Sequence, residues 1–277
     1  MKAVASAQRG LFDPSGEHSA PDRAAVDVLA LTRDSFVAQA LDAGLLAQLR
    51  LDGCGPEELF RAPASRLREH FRIRAESAEM LRRNTARLRR EAAELYDRAG
   101  QLGIVVLLPG TPSYPARIDG FYDGAPPLLY AMGNLDLLSA QAFAVLNSGA
   151  PSAASLAYTF ACASRLAEAC KTLLASPENP SYNLVGLGGK LAAAHVVVVL
   201  HRGLLDMLAH GTRREPLPLA RRVDDEVDLT RMLLVSPFRL DGRWQKGNGP
   251  RRDTLLAALA HTLVAVEVTA GGTIESL

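Results

Sequence analysis

The sequence contains few cysteines, and the three that occur are Cys54, Cys162 and Cys170. An odd number without a C-x-x-C pair argues against a disulfide framework and against a cysteine-rich zinc site. The histidines do not show H-E-x-x-H spacing either, so we predict no metal and no cofactor. A reducing compartment suits these thiols, and we therefore expect a cytoplasmic protein.

Long apolar runs are also missing from the sequence. The valine-rich run at 196–200 is far shorter than the ~20 residues that a helix needs to cross a bilayer. The N-terminus has no continuous apolar stretch typical of a secretory signal. We therefore expect no membrane partner.

No charge of one sign dominates, because 31 Lys and Arg residues face 30 Asp and Glu residues. A general attraction to nucleic acid is thus not indicated, and any basic site must be local. Nearly all the cations are arginines, whose planar fork suits phosphate, but we attribute this enrichment to genome composition rather than to a phosphate site. Aromatic residues make up only 5% of the chain, so any binding of single strands should be mostly electrostatic rather than based on stacking.

The chain divides into regions of different composition. Residues 1–21, rich in Ser, Gly, Ala and Pro, are typical of a flexible leader. Residues 22–99 show helical periodicity and predict a small helical module. Residues 100–140 contain a β-branched run and several prolines, which predict an extended connector joining a sheet. Residues 141–277 should form the main α/β domain.

Strand-like and helix-like segments alternate in that last region. This alternation predicts a parallel sheet. Leu184 and Val185 are either a short strand in a reduced crossover or not a strand, because the interval to the next strand is too short for a crossover helix. We predict strands near residues 143–146, 196–200, 233–235 and 264–268, and a helix over 152–174.

The stretch 233–273 contains the strongest candidate site. Its run 264–268 is typical of a fully buried strand, and a glycine pair follows, where a parallel sheet usually binds its ligand. An arginine pair lies upstream in a Pro-Arg-Arg-Asp turn before a helix, where free amides add to the attraction for phosphate. The alternatives are a solvated arginine pair and an ordinary glycine turn. The candidate phosphate-binding residues are Arg251, Arg252, Gly271, Gly272 and Thr273.

Two other segments are weaker candidates. Gly186, Gly188 and Gly189, followed by Lys190, form a glycine-rich segment that has neither P-loop nor G-x-G-x-x-G spacing. We interpret it as an ordinary loop, with an anion-binding loop as the alternative. The arginine-rich helix at 81–95 interleaves glutamates, so i,i+4 pairing on an exposed face is its default interpretation. A DNA-contacting face on that helix ranks below the sheet site. No G-x-S-x-G motif is present, and no catalytic residue is predicted.

Short motifs occur along the chain in a specific order. Tyr114-Pro115 precedes the Pro-Pro-Leu-Leu-Tyr segment at 126–130, and Pro250 and Arg252 precede Glu267. In this order, from about residue 22 to the C-terminus, the sequence resembles the DprA/Smf family of DNA-processing proteins.

The resemblance implies a Rossmann-like parallel sheet with helices on both faces, preceded by an all-α SAM-like or helix-hairpin-helix module. It also implies binding of single-stranded DNA, loading of a RecA-type recombinase in natural transformation, and a homodimer formed by the Rossmann-like domain. It supports phosphate contact at Arg252 but adds nothing for Arg251. The other residues that it points to are Gly272 and Thr273 beside Gly271, with Ser148 and Arg202 as lesser candidates.

The sequence departs from the family pattern where binding is expected. Asn147-Ser148-Gly149 stands where the family has Gly-Ser-Arg, so a cation is missing from the expected phosphate pocket. Asp253 replaces an asparagine, and the chain ends at Leu277, before a further helix and strand of the family. These departures favour a divergent or shortened branch.

Two functions of other classes fit the sequence as well. The segment 271–275, Gly-Gly-Thr-Ile-Glu, is loosely similar to the glycine-rich loop of the LOG-type nucleotide phosphoribohydrolases, which predicts an enzyme acting on nucleotides. The Asn-Ser-Gly substitution favours instead a degenerate structural partner that only dimerises. A protein that binds single-stranded DNA without catalysis is the leading hypothesis.

Overall fold

The structure, a computed structural model, describes residues 20–42, 44–121, 126–209, 214–272 and 274–275. The described chain divides into two units. The first contains the residues up to 102 together with 106–114 and 126–128. The second contains residues 103–105 and 115–121 and the chain from 129 onward. The predicted leader, 1–21, lies outside the described residues except for its last two.

The first unit contains a series of helices, as the periodicity predicts. The Asp34 carboxylate caps the second helix by accepting hydrogen bonds from the N–H groups of Phe36 and Val37, at 3.0 and 2.9 Å. The core of the first unit contains many leucines, including Leu41, Leu59 and Leu81, which are nearly or fully buried. The helices are α1 (Ala20–Leu31), α2 (Ser35–Asp42), α3 (Leu45–Leu51), α4 (Glu58–Arg61), α5 (Ala64–Glu69) and α6 (Ala75–Gln101).

The sheet has seven strands within the described residues. The strands are β1 (Ile104–Leu107), β2 (Leu129–Gly133), β3 (Ala142–Asn147), β4 (Thr172–Ala175), β5 (Val196–Val199), β6 (Met232–Ser236) and β7 (Thr262–Glu267), and their order is β1-β2-β6-β5-β4-β3-β7. The run from β6 to β7 is parallel, whereas β2 pairs with β6 antiparallel. The four valines of β5 are all buried, as expected for an inner strand covered on both faces.

Helices connect the parallel strands and complete the predicted α/β fold. After β3 the chain proceeds through β4 and β5 to β6, and it then returns to place β7 on the other side of β3. The carboxyl ends of β3 and β7 therefore form the topological switch point of the sheet. The helices of this unit are α7 (Ala116–Phe121), α8 (Ala153–Glu168), α9 (Pro180–Leu191), α10 (Leu204–Ala209), α11 (Pro218–Arg221) and α12 (Asn248–Leu259).

The helix predicted over residues 152–174 ends earlier in the structure. Helix α8 stops at Glu168, and the last three residues of the predicted helix belong to β4. Leu184 and Val185 lie inside α9, so the second of the two interpretations of this pair is confirmed. A short apolar run does not by itself distinguish a buried strand from a helix, which explains both differences.

The glycine-rich segment after Leu184 is helical and does not form the predicted loop. A Cβ atom on Gly189 would lie 2.6 Å from Cγ2 of Val196, and one on Gly188 would lie 3.2 Å from the backbone nitrogen of Ser164 in α8. These glycines therefore allow α9 to pack closely, and their amides belong to the helix. Lys190 lies 3.5 Å from Glu215 and 3.1 Å from Asp224.

The prediction of a fully buried strand at 264–268 is wrong. Strand β7 lies at the edge of the sheet and pairs only with β3 among the described strands. Its residues are exposed or half-buried, and Leu263 is 40% exposed. An apolar run fits an edge strand as well as an inner one when only the sequence is read.

Candidate functional site

Ser148 joins the two strands of the switch point. Its N–H donates to the carbonyl oxygen of Glu267 at 2.8 Å, and its hydroxyl accepts a hydrogen bond from the N–H of Thr269 at 2.7 Å. A Cβ on Gly272 would lie 3.8 Å from this hydroxyl. The structure thus places Ser148 beside the glycine pair, although they are more than a hundred residues apart in sequence. Thr273, another predicted site residue, lies outside the described residues.

A carboxylate already occupies the N-terminus of α8 at this switch point. Oε2 of Glu267 accepts hydrogen bonds from the N–H of Ser152 at 3.0 Å, from the Ser152 hydroxyl at 2.9 Å and from the Ser155 hydroxyl. These hydrogen bonds lower the pKa of Glu267, because they favour its charged form. The helix terminus that attracts phosphate in related folds therefore holds an anion of this chain.

The glycine pair is also engaged by a carboxylate. The N–H of Gly271 donates to Oε2 of Glu275 at 2.5 Å, and the N–H of Gly272 donates to the carbonyl oxygen of Thr269 at 3.0 Å. Gly271 has a φ of 73°, in the left-handed region that glycine adopts readily. The two amides thus complete a turn, which is the alternative that the sequence left open for this segment.

Arg252 is buried, contrary to the expectation of an exposed arginine in a turn. It lies inside α12 and is 4% exposed. Its Nη1 lies 2.8 Å from Oε2 of Glu178, its Nε donates to Asp253 at 3.0 Å, and its guanidinium lies over the ring of Tyr182. The carboxylates of Glu178 and Asp253 allow Arg252 to be buried, because a buried guanidinium requires anionic partners. Its neighbour Arg251 is half-buried, with its guanidinium 5.6 Å from the centre of the Phe238 ring.

A cavity of about 550 Å³ opens at the carboxyl ends of β4 and β5. This is the sheet edge where parallel α/β folds bind ligands. Its walls include the apolar side chains of Leu200 and Leu234. Its polar and aromatic lining comes from four separate segments of the second unit: Glu178, His201, Arg202, Arg214, Arg221 and Trp244.

Trp244 is held at the cavity by a chain of polar contacts. Its Nε1–H donates to Oε1 of Glu178 at 3.0 Å, while the other oxygen of that carboxylate binds Arg252. The indole is 48% exposed, so it is both fixed and accessible. Arg252 thus positions Glu178, and Glu178 positions Trp244. An ordered, accessible indole is a suitable surface for stacking a nucleobase.

Three arginines give the cavity its positive charge. Nη1 of Arg202 lies 3.4 Å from Asp206, and the Nε atoms of Arg214 and Arg221 lie 3.5 and 3.8 Å from Asp225. These distances are long, and the arginine side chains are 31%, 66% and 41% exposed. Since each guanidinium has five N–H donors, several remain for a ligand. Arg202 is the predicted site residue that the structure places in this cavity.

His201 is the buried polar group of the cavity. It is 7% exposed, and among the described residues none hydrogen-bonds to its Nδ1. Burial lowers its pKa, Glu178 opposes this shift, and Arg202, whose Nη2 lies 3.4 Å from Nε2, adds to it. The lowered pKa favours the neutral form of the imidazole. An unpaired buried nitrogen on a cavity wall is suited to receive a polar group of a ligand.

Most residues of this cavity are not indicated by the sequence. Trp244 is the single tryptophan of the chain, and that was the one signal available for it. His201 follows the strand predicted at 196–200, whereas Glu178 follows β4, which was not predicted as a strand. Nothing in the sequence distinguished Arg214 and Arg221 from other arginines. Among the described residues no three His, Cys, Asp or Glu side chains are grouped as metal ligands. No described helix has the length and hydropathy needed to cross a membrane.

Comparison with known proteins shows similarity in fold. No protein-family model matches the chain, and no curated protein matches it. The solved structure of DNA processing protein A (DprA) from Streptococcus pneumoniae matches with a TM-score of 0.51 and 18% identity, covering 73% of this chain and 70% of that chain. DprA from Helicobacter pylori, described for its single-stranded DNA binding mode, matches with a TM-score of 0.48 and 17% identity, covering 62% and 73%. The match to the pneumococcal structure confirms the Rossmann-like α/β fold expected from the DprA/Smf resemblance.

Proposed function

We propose that this protein binds single-stranded DNA without catalysis, in the cavity at the carboxyl ends of β4 and β5. The observation that carries the proposal is the combination of an accessible, fixed indole with three arginines at this sheet edge. A base would stack on Trp244, while backbone phosphates would contact Arg202, Arg214 and Arg221. The fold shared with the pneumococcal DNA-processing protein supports this choice of ligand.

The proposal moves the DNA site away from the residues that the sequence favoured. At the switch point, Glu267 and Glu275 already accept the hydrogen bonds of the helix terminus and of Gly271. A phosphate there would meet two carboxylates and would have to displace one of them. Arg252 acts in this proposal as a positioning residue for Trp244 and makes no phosphate contact.

The test is a salt titration of oligothymidine binding, followed by fluorescence anisotropy. Three phosphate contacts give an expected slope of about −2 for log K against log salt concentration, because each contact contributes about −0.7 in single strands. The double variant Arg214→Ala/Arg221→Ala should flatten this slope by roughly 1.4. Arg165→Ala is the matched control, since Arg165 is an exposed arginine of α8 outside the cavity lining.

Two outcomes would contradict the proposal. One is the absence of binding at low salt, which would favour the structural-partner hypothesis. The other is an equal loss of slope in the control and in the double variant, which would indicate diffuse surface attraction.

Replacement of Trp244 by Ala should weaken oligothymidine binding about tenfold. Replacement by Phe should retain most of the affinity, because a phenyl ring also stacks on bases.

The absence of catalysis is a separate part of the proposal. Glu178 is the one carboxylate among the described lining residues, and its two oxygens are held by Arg252 and Trp244. This engagement leaves it poorly placed to act as a general base. Incubation with nucleoside monophosphates tests the point: release of free base would favour a nucleotide phosphoribohydrolase.

Two further activities follow only from the DprA/Smf resemblance. We propose that the bound strand is delivered to a RecA-type recombinase, and that the protein acts as a homodimer. Sedimentation of the purified chain tests dimer formation. Displacement of a single-strand-binding protein by the recombinase, measured with and without this protein, tests loading. No acceleration of recombinase assembly would remove the loading role and leave strand binding intact.

A further inference from the structure

A second cavity, of about 640 Å³, lies within the helical unit. Its lining comes from three separate segments: α1, the short helix α4 with the residue before it, and the middle of α6. A cavity of this volume is in the range of ligand sites. Its charged lining residues are Arg23, Asp27, Glu57, Arg61, Arg89 and Arg90.

The arginine-rich helix α6 has two kinds of arginine. Arg83 pairs with Glu79 at 2.7 Å and Arg87 with Glu91 at 3.3 Å, each one turn apart on an exposed face. These pairs fit the i,i+4 interpretation of the helix. Arg89 and the residue after it line the cavity instead. The sequence around these arginines shows one pattern of alternating Arg and Glu. Packing against α1 gives Arg89 a partner, Asp27, that lies outside its own helix.

Arg89 forms an ion pair with Asp27 in the cavity wall. Its Nε and Nη2 donate to the two carboxylate oxygens of Asp27 at 2.6 and 2.9 Å, and its guanidinium lies 4.6 Å from the centre of the Phe60 ring. Burial raises the pKa of Asp27, and Arg89 opposes this shift. With its charge matched and its donors directed at Asp27, Arg89 is not the main attraction for a ligand.

The remaining lining charges are unequal. Arg61 and Arg90, both exposed, share the lining with a single remaining carboxylate, Glu57, so even without Arg23 the described lining has an excess of positive charge in a chain that is otherwise nearly neutral. The two arginines come from two helices, α4 and α6, so their approach is a product of the tertiary structure. The small apolar side chains of Ala24, Val26 and Ala93 complete the wall.

We propose that this cavity is a second anion site, distinct from the DNA-binding cavity, and that its ligand is a phosphate-bearing molecule. Two separated arginine forks, those of Arg61 and Arg90, fit the many oxygens of linked phosphates better than one carboxylate. Because no aromatic ring is among the described lining residues, the phosphates are recognised rather than a base. The phosphates come either from a small pyrophosphate-containing molecule or from a nucleic-acid backbone.

The experiment compares two double variants of the full chain on the same helical unit. Arg61→Ala/Arg90→Ala removes two cavity arginines, and Arg83→Ala/Arg87→Ala removes the same charge from the exposed face of α6. Both are made on the Arg214→Ala/Arg221→Ala background, so that failure of the proposed DNA site does not affect the result. The probes are inorganic pyrophosphate, measured by calorimetry, and a fluorescent oligothymidine, measured by anisotropy.

The cavity variant should lower pyrophosphate affinity at least about tenfold, whereas the control should change it by about twofold or less. A loss for both probes, or for oligothymidine alone, supports the site and identifies backbone phosphate as a ligand. A loss for pyrophosphate alone supports it and identifies a small molecule. Equal affinities of the two double variants for both probes, or no measurable binding of either probe before these changes, would overturn the proposal.

Two additional variants keep the test independent of folding defects. Arg61→Lys/Arg90→Lys retains the charge but not the fork, so an intermediate affinity is expected. Glu57→Gln removes the opposing carboxylate and should raise pyrophosphate affinity about threefold or more. A weaker affinity after Glu57→Gln, in a chain with an unchanged melting temperature, would contradict the proposed role of the cavity charge.

Discussion

Glu267, the last residue of β7, caps the start of α8 by accepting hydrogen bonds from both the N–H and the hydroxyl of Ser152, at 3.0 and 2.9 Å. The contact joins an edge strand to the helix that follows its neighbour β3. It also fills a position at which related folds bind phosphate. The carboxylate therefore occupies the hydrogen-bond donors that another anion would use at the switch point.

The first prediction concerns the pH dependence of this contact. Because the folded-state pKa of Glu267 is lowered, its contribution to stability is present above its unfolded pKa of about 4.3 and is lost as the pH falls through the folded value. Glu267→Gln should therefore lower the melting temperature at pH 7, and the difference from the unmodified chain should shrink towards pH 3. Glu168→Gln, at the exposed end of α8, is the control. A pH-independent difference would contradict this linkage.

The second prediction concerns Arg252 and its neighbour. Arg252→Ala should destabilise the protein by about 2–4 kcal/mol, because it leaves Glu178 and Asp253 without their buried cation. Arg251→Ala, half-buried beside Phe238, should cost about 1 kcal/mol or less. Chemical denaturation measures both. Similar losses in the two variants would argue against the buried ion pair as the source of the effect.

The third prediction separates positioning from phosphate contact. If Arg252 acts through Glu178 on Trp244, then Arg252→Ala should red-shift the tryptophan emission and weaken oligothymidine binding, while the salt slope stays the same. Arg252→Lys should restore part of the affinity. A slope reduced by roughly 0.7 would instead assign a phosphate contact to Arg252, as the sequence had indicated.

The fourth prediction uses the single tryptophan as a probe. Trp244 is half exposed on the cavity wall, so a base that stacks on it should quench its emission. The midpoint of quenching in an oligothymidine titration should coincide with the midpoint seen by anisotropy. Binding by anisotropy without any change in emission would place the strand elsewhere on the protein.

The fifth prediction concerns His201. Its folded-state pKa is lowered by burial, so the neutral form is favoured in the folded protein. The contribution of His201 to the free energy of unfolding is therefore fully present above its unfolded pKa of about 6.5. It falls as the pH drops from there towards the folded pKa, because the unfolded chain then binds a proton that the folded chain does not. His201→Asn should remove this part of the pH dependence between pH 7 and 5, and His261→Asn, at an exposed position, should have a smaller effect. Identical pH profiles for the His201 variant and the unmodified chain would refute it.

Local patterns in the sequence determined the elements and their general arrangement. The leucine periodicity of the first unit predicted helices, and the valines of β5 predicted a strand, because burial of a helix face or of a strand imposes a pattern on the residues themselves. The alternation of such elements, with the order of Tyr114-Pro115, Pro250 and Glu267, was enough for a Rossmann-like sheet. The sequence did not determine the boundary between α8 and β4, because a short apolar run fits a helix as well as a strand.

Only the tertiary structure decided which polar residues meet. Arg252 and Arg202 look alike in sequence, yet one is buried between Glu178 and Asp253 and the other faces a cavity. Arg87 and Arg89 lie two residues apart on one helix, yet Arg87 pairs with Glu91 on the exposed face, whereas Arg89 pairs with Asp27 of α1. The environment of a charge depends on residues that are distant in sequence, because electrostatic and hydrogen-bond partners are set by approach in space. A local pattern contains no record of that approach.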